Sequence, residues 1–131
     1  MRLVLAVLVA PLMLASCGER AAADDSALHQ ALASGQSGAE VTFNGRLLDD
    51  PRLIGTHEHL VVSTAQGDRL EIDHNTDLAR WVPAHRQDVL IIHGQLYIDS
   101  PSRQGVHCTH AKTSRSCPVP GWIEFGGNYY E

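Results

Sequence analysis

Cysteine and histidine are the residues of this chain best suited to chemistry. Cys108 and Cys117 lie nine positions apart, and His107 and His110 flank the first of them. Thiolate sulfur and imidazole nitrogen are good ligands for zinc or copper, so His107, Cys108, His110 and Cys117 form one candidate metal set. The two cysteines can instead join as a disulfide, the favoured state in an oxidising compartment. On the chain-entropy model, closing so short a loop stabilises the fold by about 2.5–3 kcal/mol. An oxidised pair supplies no thiolate, so the two readings exclude each other. Beyond the first forty residues stand seven histidines: His57, His59, His74, His85, His93, His107 and His110. Several signatures are missing. His57-Glu58-His59-Leu60-Val61 lacks the second histidine of the zinc-protease helix, and there is no Gly-x-Ser-x-Gly elbow or haem-attachment Cys-x-x-Cys-His.

What these side chains can do depends on the elements that carry them. Asp25 or Ser26 is placed to cap a short helix with Ala27, Leu28, Ala31 and Leu32 on its apolar face, ended by Ser34-Gly35. From residue 39 the texture becomes that of strands. Val41, Phe43 and Leu47 share a face of the first, which Asp49-Asp50-Pro51 closes. Leu60-Val61-Val62 and Leu70-Glu71-Ile72 flank Ala65-Gln66-Gly67-Asp68 as a hairpin. With Gly67 in the left-handed position of a three-residue loop, Leu60 pairs with Ile72 and Val62 with Leu70, burying all four together. Val89 to Ile98 reads as one long strand bent at Gly94, Gly105 to His110 as a short one, and Trp122 to Tyr130 as a closing hairpin across Gly126-Gly127.

That register sorts the histidines. His57 and His59 fall on one face of their strand, while His74 falls on the other, with Leu70 and Ile72 and opposite Glu58. Glu58 is then placed to orient the His74 ring; otherwise His74 is a buried structural histidine satisfied by Glu58 or by backbone. Asn75 and Asp77 read as turn and capping residues, and as polar site residues only if His74 is one. His107 and His110 are three apart, on opposite faces unless the strand ends between them. One short helix and five or six strands predict an all-β domain, a small OB-like barrel in preference to an open β-roll.

Cys17 belongs to a different chemistry. Met1-Arg2 is followed by an apolar run to Leu14, then Ala15-Ser16-Cys17. A charged start, a short apolar run and small residues describe a signal peptide, and the run falls short of the roughly 20 residues a membrane span needs. Leu14-Ala15-Ser16-Cys17 resembles the lipobox of bacterial lipoproteins, in which the cysteine is acylated and becomes the first residue. The expected division is a signal peptide over 1–16, a lipidated N-terminus and tether over 17–25, and one OB-like domain over 26–131. Residues 18–25 would reach roughly 25 Å at full extension. Gly18 and Glu19 follow the cysteine in place of the inner-membrane retention aspartate, which by resemblance implies the outer membrane and its periplasmic face. The net charge is −5, and removing the leader takes one positive charge with it. An acidic domain with 5% aromatic residues lacks the basic, stacking groove of a nucleic-acid binder.

Three segments carry a family resemblance. Asp73-His74-Asn75-Thr76-Asp77-Leu78-Ala79-Arg80 resembles the "AHNIDLAPR" segment of a small exported bacterial family, domain-of-unknown-function family 3465. Gly105-Val106-His107-Cys108-Thr109-His110 is similar to its "GVIHWTHHD", and Pro120 to Tyr130 to its closing "GWIEHNGKRY". The resemblance supports an OB-like barrel and implies no particular activity. His57, His74, His107 and His110 match family positions, which makes them the candidate metal or ligand site, with Glu58, Asn75 and Asp77 supporting. The chain departs from the family where Cys108 replaces a tryptophan and where Ala111 to Cys117 replaces a histidine-bearing segment. The expected function is a non-enzymatic periplasmic binding or interaction module, with no cofactor and a ligand or protein partner left open. The alternative is a metal-binding protein or metal-dependent hydrolase using the four histidines.

Overall fold

The computed structural model describes residues 18–131; the leader and Cys17 lie outside the described residues. Helix α1 (Asp25–Ala33) precedes strands β1 (Glu40–Leu47), β2 (Arg52–Ile54), β3 (His57–Ser63), β4 (Arg69–Asn75), β5 (Val89–Ser100), β6 (Arg103–His107), β7 (Trp122–Phe125) and β8 (Asn128–Tyr130). Eight strands stand against the five or six expected, β2 and β8 being only three residues each.

Five of these close on themselves. β1 pairs with β3, β3 with β4, β4 with β6, β6 with β5, and β5 returns to β1. The β4–β6 join is parallel and the others antiparallel, which makes an OB-like ring. The ring is thin at the β1–β3 and β4–β6 seams, each with two paired residues. β7 is added to β5 outside the ring, and β8 to β7.

The β3–β4 hairpin has the expected register. Leu60 faces Ile72, Val62 faces Leu70, and Gly67 sits at φ +86° in the loop. All four apolar side chains are fully buried, and Phe43, Leu47, Leu90, Ile92, Val106 and Ile123 join them in the core. Each such side chain contributes about 1.5–3 kcal/mol of burial. Gly94 is needed in the middle of β5 because a side chain there would collide with the His107 carbonyl of β6.

Four expectations are corrected at the chain level. Asp24, not Asp25 or Ser26, caps α1, accepting a 2.9 Å bond from the Ala27 amide. The Asp24 amide already donates to the Thr42 carbonyl, so the chain lies against β1 before it turns into the helix. Asp25 instead accepts from the Asn44 amide and ties α1 to β1. Of the expected apolar face only Leu28 and Ala31 are buried; Leu32 is half-buried and Ala27 exposed. β6 stops at His107 and does not run on to His110. The segment expected as a tether also docks on the domain. Arg20 forms two hydrogen bonds to Glu131, at 2.6 and 3.0 Å, and lies over Tyr129 and Trp122.

Candidate functional site

Alternation along β3 and β4 sends one set of side chains into the barrel and the other out of it. Glu58 and His74 go in, opposite one another and fully buried. His57, His59, Asp73 and Asn75 go out, and His57 pairs with Asn75 as His59 does with Asp73. Asp73 organises this outer face. It accepts a 2.9 Å hydrogen bond from Tyr97 Oη, and its carboxylate lies 3.8 Å from His59 Nε2. Burial, and then the neighbouring Asp73 carboxylate, push the Tyr97 phenol above its ordinary range. The phenol is therefore a permanent donor.

His107 extends the same surface from β6. Its Nε2–H donates to Gln95 Oε1 at 3.0 Å, and its ring stands edge-on to Tyr97. Burial lowers its pKa, so the ring is neutral at ordinary pH. Directly after it, Cys108 adopts φ +57° and the strand ends. That turn removes the obstacle set by the three-residue spacing. Cys108 is bonded to Cys117 with Cα atoms 5.4 Å apart, and the Gly121 amide donates to the His110 carbonyl. His110 is thereby held 5% exposed with its Nδ1 unpartnered.

A cleft of about 320 Å³ opens here, lined by His57, Asn75, His107, His110 and Lys112 and walled by the disulfide. A second hollow of about 340 Å³ adjoins it, shares His57, Asp73 and His107, and adds His59, Ile54 and Arg103. Together they form one groove across the outer face of β3, β4 and β6. Three of the four expected site histidines therefore meet.

His74 does not join them. It lies inside the barrel wall, where its Nε2–H donates to the Arg80 carbonyl at 2.9 Å and its Nδ1 pairs with the Thr109 hydroxyl at 2.8 Å. Burial first, and the nearby His110 and His57 rings after it, lower its pKa. The ring is neutral, and Nδ1 accepts from Thr109. Glu58 does not orient this ring as expected. Its Oε2 accepts from the Val82 amide at 2.8 Å, while Oε1 has no partner among the described residues. Burial pushes the Glu58 carboxyl up to about 7. The two buried groups clamp the 80–82 segment over the barrel. Asn75 Oδ1 accepts from the Asp77 amide at 2.9 Å, so both act as turn residues; Asp77 is exposed and stands outside the cleft.

The metal set is not assembled. Among the described residues no three His, Cys, Asp or Glu are placed to hold a metal ion. Both cysteine sulfurs are spent on each other, and both nitrogens of His74 are engaged. The cysteine sulfurs and the His74 ring are thus not open to a metal ion.

Sequence reasoning missed Asp73, Lys112 and Arg103. Asp73 was within reach, because it is two residues from Asn75 and must share its face. Lys112 arrives through the disulfide loop and Arg103 at the first position of β6, just past the β5–β6 turn, where periodicity gives no signal.

The fold and groove define a small OB-like barrel with a histidine-lined outer face. The chain belongs to the family described as protein of unknown function, DUF3465, whose model matches residues 9–131. No curated protein matches it.

Proposed function

We propose that this protein is a lipid-anchored binding module of the bacterial outer membrane, non-enzymatic and facing the periplasm. The observation that carries the binding role is the cleft in which His57, His107 and His110 meet beside Lys112. Concave sites with a few convergent polar groups are where ligands are bound. Its imidazoles and amide offer a polar ligand both donors and acceptors. Two kinds of group suited to catalysis are out of the cleft or already spent. The carboxyl held near neutrality, Glu58, is sealed inside the barrel, and the two cysteines form a disulfide. The anchor rests on the sequence Leu14-Ala15-Ser16-Cys17. The acidic charge offers no pull toward anionic lipid, so attachment falls to the acyl chains.

Two measurements test this reading. Cys17→Ala should move the protein from the membrane fraction to the soluble one with unchanged circular dichroism; retention in the membrane would defeat the anchor. The purified domain should leave p-nitrophenyl acetate and p-nitrophenyl phosphate uncleaved above the buffer rate. Turnover abolished by His107→Ala would replace the binding module with a hydrolase.

A further inference from the structure

Arg20 is the third residue after Cys17, and it is not free. Its guanidinium grips Glu131 with two hydrogen bonds and lies 3.9 Å from the Tyr129 ring centroid and 5.6 Å from that of Trp122. The two aromatic rings stand edge to face at 5.3 Å, forming a corner that the guanidinium fills. Charge pairing and ring contact reinforce each other, since the planar guanidinium suits both. Four residues on, the Asp24 amide is bonded to the Thr42 carbonyl. The chain is thus pinned at Arg20 and again at Asp24.

A lipid on Cys17 is joined to the Arg20 dock by only three peptide steps, about 10 Å at full extension. A free tether over 17–25 would let the domain tumble above the membrane. A docked one brings the face bearing Trp122, Tyr129 and Glu131 close to the lipid. That face is built on β7 and β8, which extend from β5. In the ring β5 pairs with β1 and β6 but with neither β3 nor β4, although Tyr97 of β5 reaches Asp73 of β4 by a hydrogen bond. The β3–β4 end of the groove, at Ile54 and His59, is thus two strands removed in the ring from the strand that carries the anchored face.

We propose that residues 18–24 are an orienting strap: Arg20 seats the β7–β8 face against the lipid surface and turns the β3–β4 groove toward the periplasm. This rests on the lipid-anchor reading, and the test keeps the two apart.

Trypsin cuts after arginine, so a docked Arg20 is a poor substrate. In the soluble Cys17→Ala protein, cleavage at Arg20, read by mass spectrometry, should quicken about tenfold on Glu131→Gln or Tyr129→Ala. Equal rates would overturn the docking with or without a lipid. In vesicles carrying a headgroup energy acceptor, the lipidated protein should be labelled at Asn128→Cys or at Ile54→Cys, one on the β7–β8 face and one at the β3–β4 end of the groove. Transfer should be stronger from position 128, and Arg20→Ala should erase the difference. Equal transfer from the two positions, or a difference that survives Arg20→Ala, would overturn the strap while leaving the anchor standing. Protein that never associates with vesicles would overturn the anchor and the orientation together.

Discussion

Along β3 and β4, neighbouring polar residues meet opposite fates. His74 and Glu58 point into the barrel, fully buried, and spend their hydrogen bonds holding the 80–82 segment. His57 and Asn75, one residue away on each strand, point outward into the cleft. The inner pair has local backbone partners and the outer pair looks onto open space. The difference teaches that the family-like His74-Asn75 segment is two features in one, a structural clamp and a piece of binding surface, divided by the pleat of the strand.

The largest expected effect separates those faces directly. His74→Ala removes a buried ring and strands the Thr109 hydroxyl and Arg80 carbonyl, which should cost about 3 kcal/mol and lower Tm by roughly 15 °C. His57→Ala, on a partly exposed side chain, should change stability by no more than about 0.5 kcal/mol. Thermal melts of the two variants check this. Equal losses would erase the distinction between clamp and surface.

The inner face also has a pH dependence of its own. A buried acid with a raised pKa keeps its proton in the folded state where the unfolded chain has already released it. The Glu58 contribution is therefore full below 4.5 and lost as pH rises through about 7, a change of about 3 kcal/mol. His74 works in the other direction. Its lowered pKa makes the unfolded chain the stronger proton binder, so stability falls as pH drops below 6.5. Urea titrations of wild type and Glu58→Gln should diverge increasingly from pH 5 to pH 8 in favour of the variant. Parallel curves would show that Glu58 ionises freely, against its burial.

The disulfide joins the two regions, since Thr109 serves His74 on the inside and His110 serves the cleft on the outside. The double variant Cys108→Ser/Cys117→Ser should lose about 2.5 kcal/mol. It should speed hydrogen exchange at residues 109–117 more than in β3. Exchange raised uniformly across the barrel would mean that the loop supports the core as well as the cleft.

How much of this the sequence disclosed follows from the same pleat. The hairpin register was legible because Leu60, Val62, Leu70 and Ile72 have only one arrangement that buries them all. That register in turn placed His57 and His74 on their correct faces. The partners of His74 were not legible. Arg80 contributes a backbone carbonyl and Thr109 comes from beyond β6, and neither has a periodic signature. Glu58 was assigned to His74 because the two are opposite, but the Val82 amide of the covering segment reaches the carboxylate instead. The convergence of His107 and His110 depended on where β6 stops, and Cys108 at φ +57° is a turn that composition does not announce. The tether misled for a related reason: small polar residues read as linker, while the single Arg20 that docks them finds its partners at the far end of the chain.

Asn75 gives the smallest and sharpest test, because it faces outward yet does structural work. Its Oδ1 closes the turn on the Asp77 amide, and its side chain also lines the cleft. Asn75→Ala should lose that bond and cost about 1 kcal/mol, whereas Asn75→Asp, which keeps the acceptor oxygen, should stay within about 0.5 kcal/mol of wild type. The two changes differ in the cleft as well. Aspartate brings a negative charge into the cleft opposite His57, and alanine brings none. If alanine and aspartate cost the same stability, the side chain is not closing the turn. Asn75 would then belong wholly to the binding surface, and the division between the two faces would hold at this position without exception.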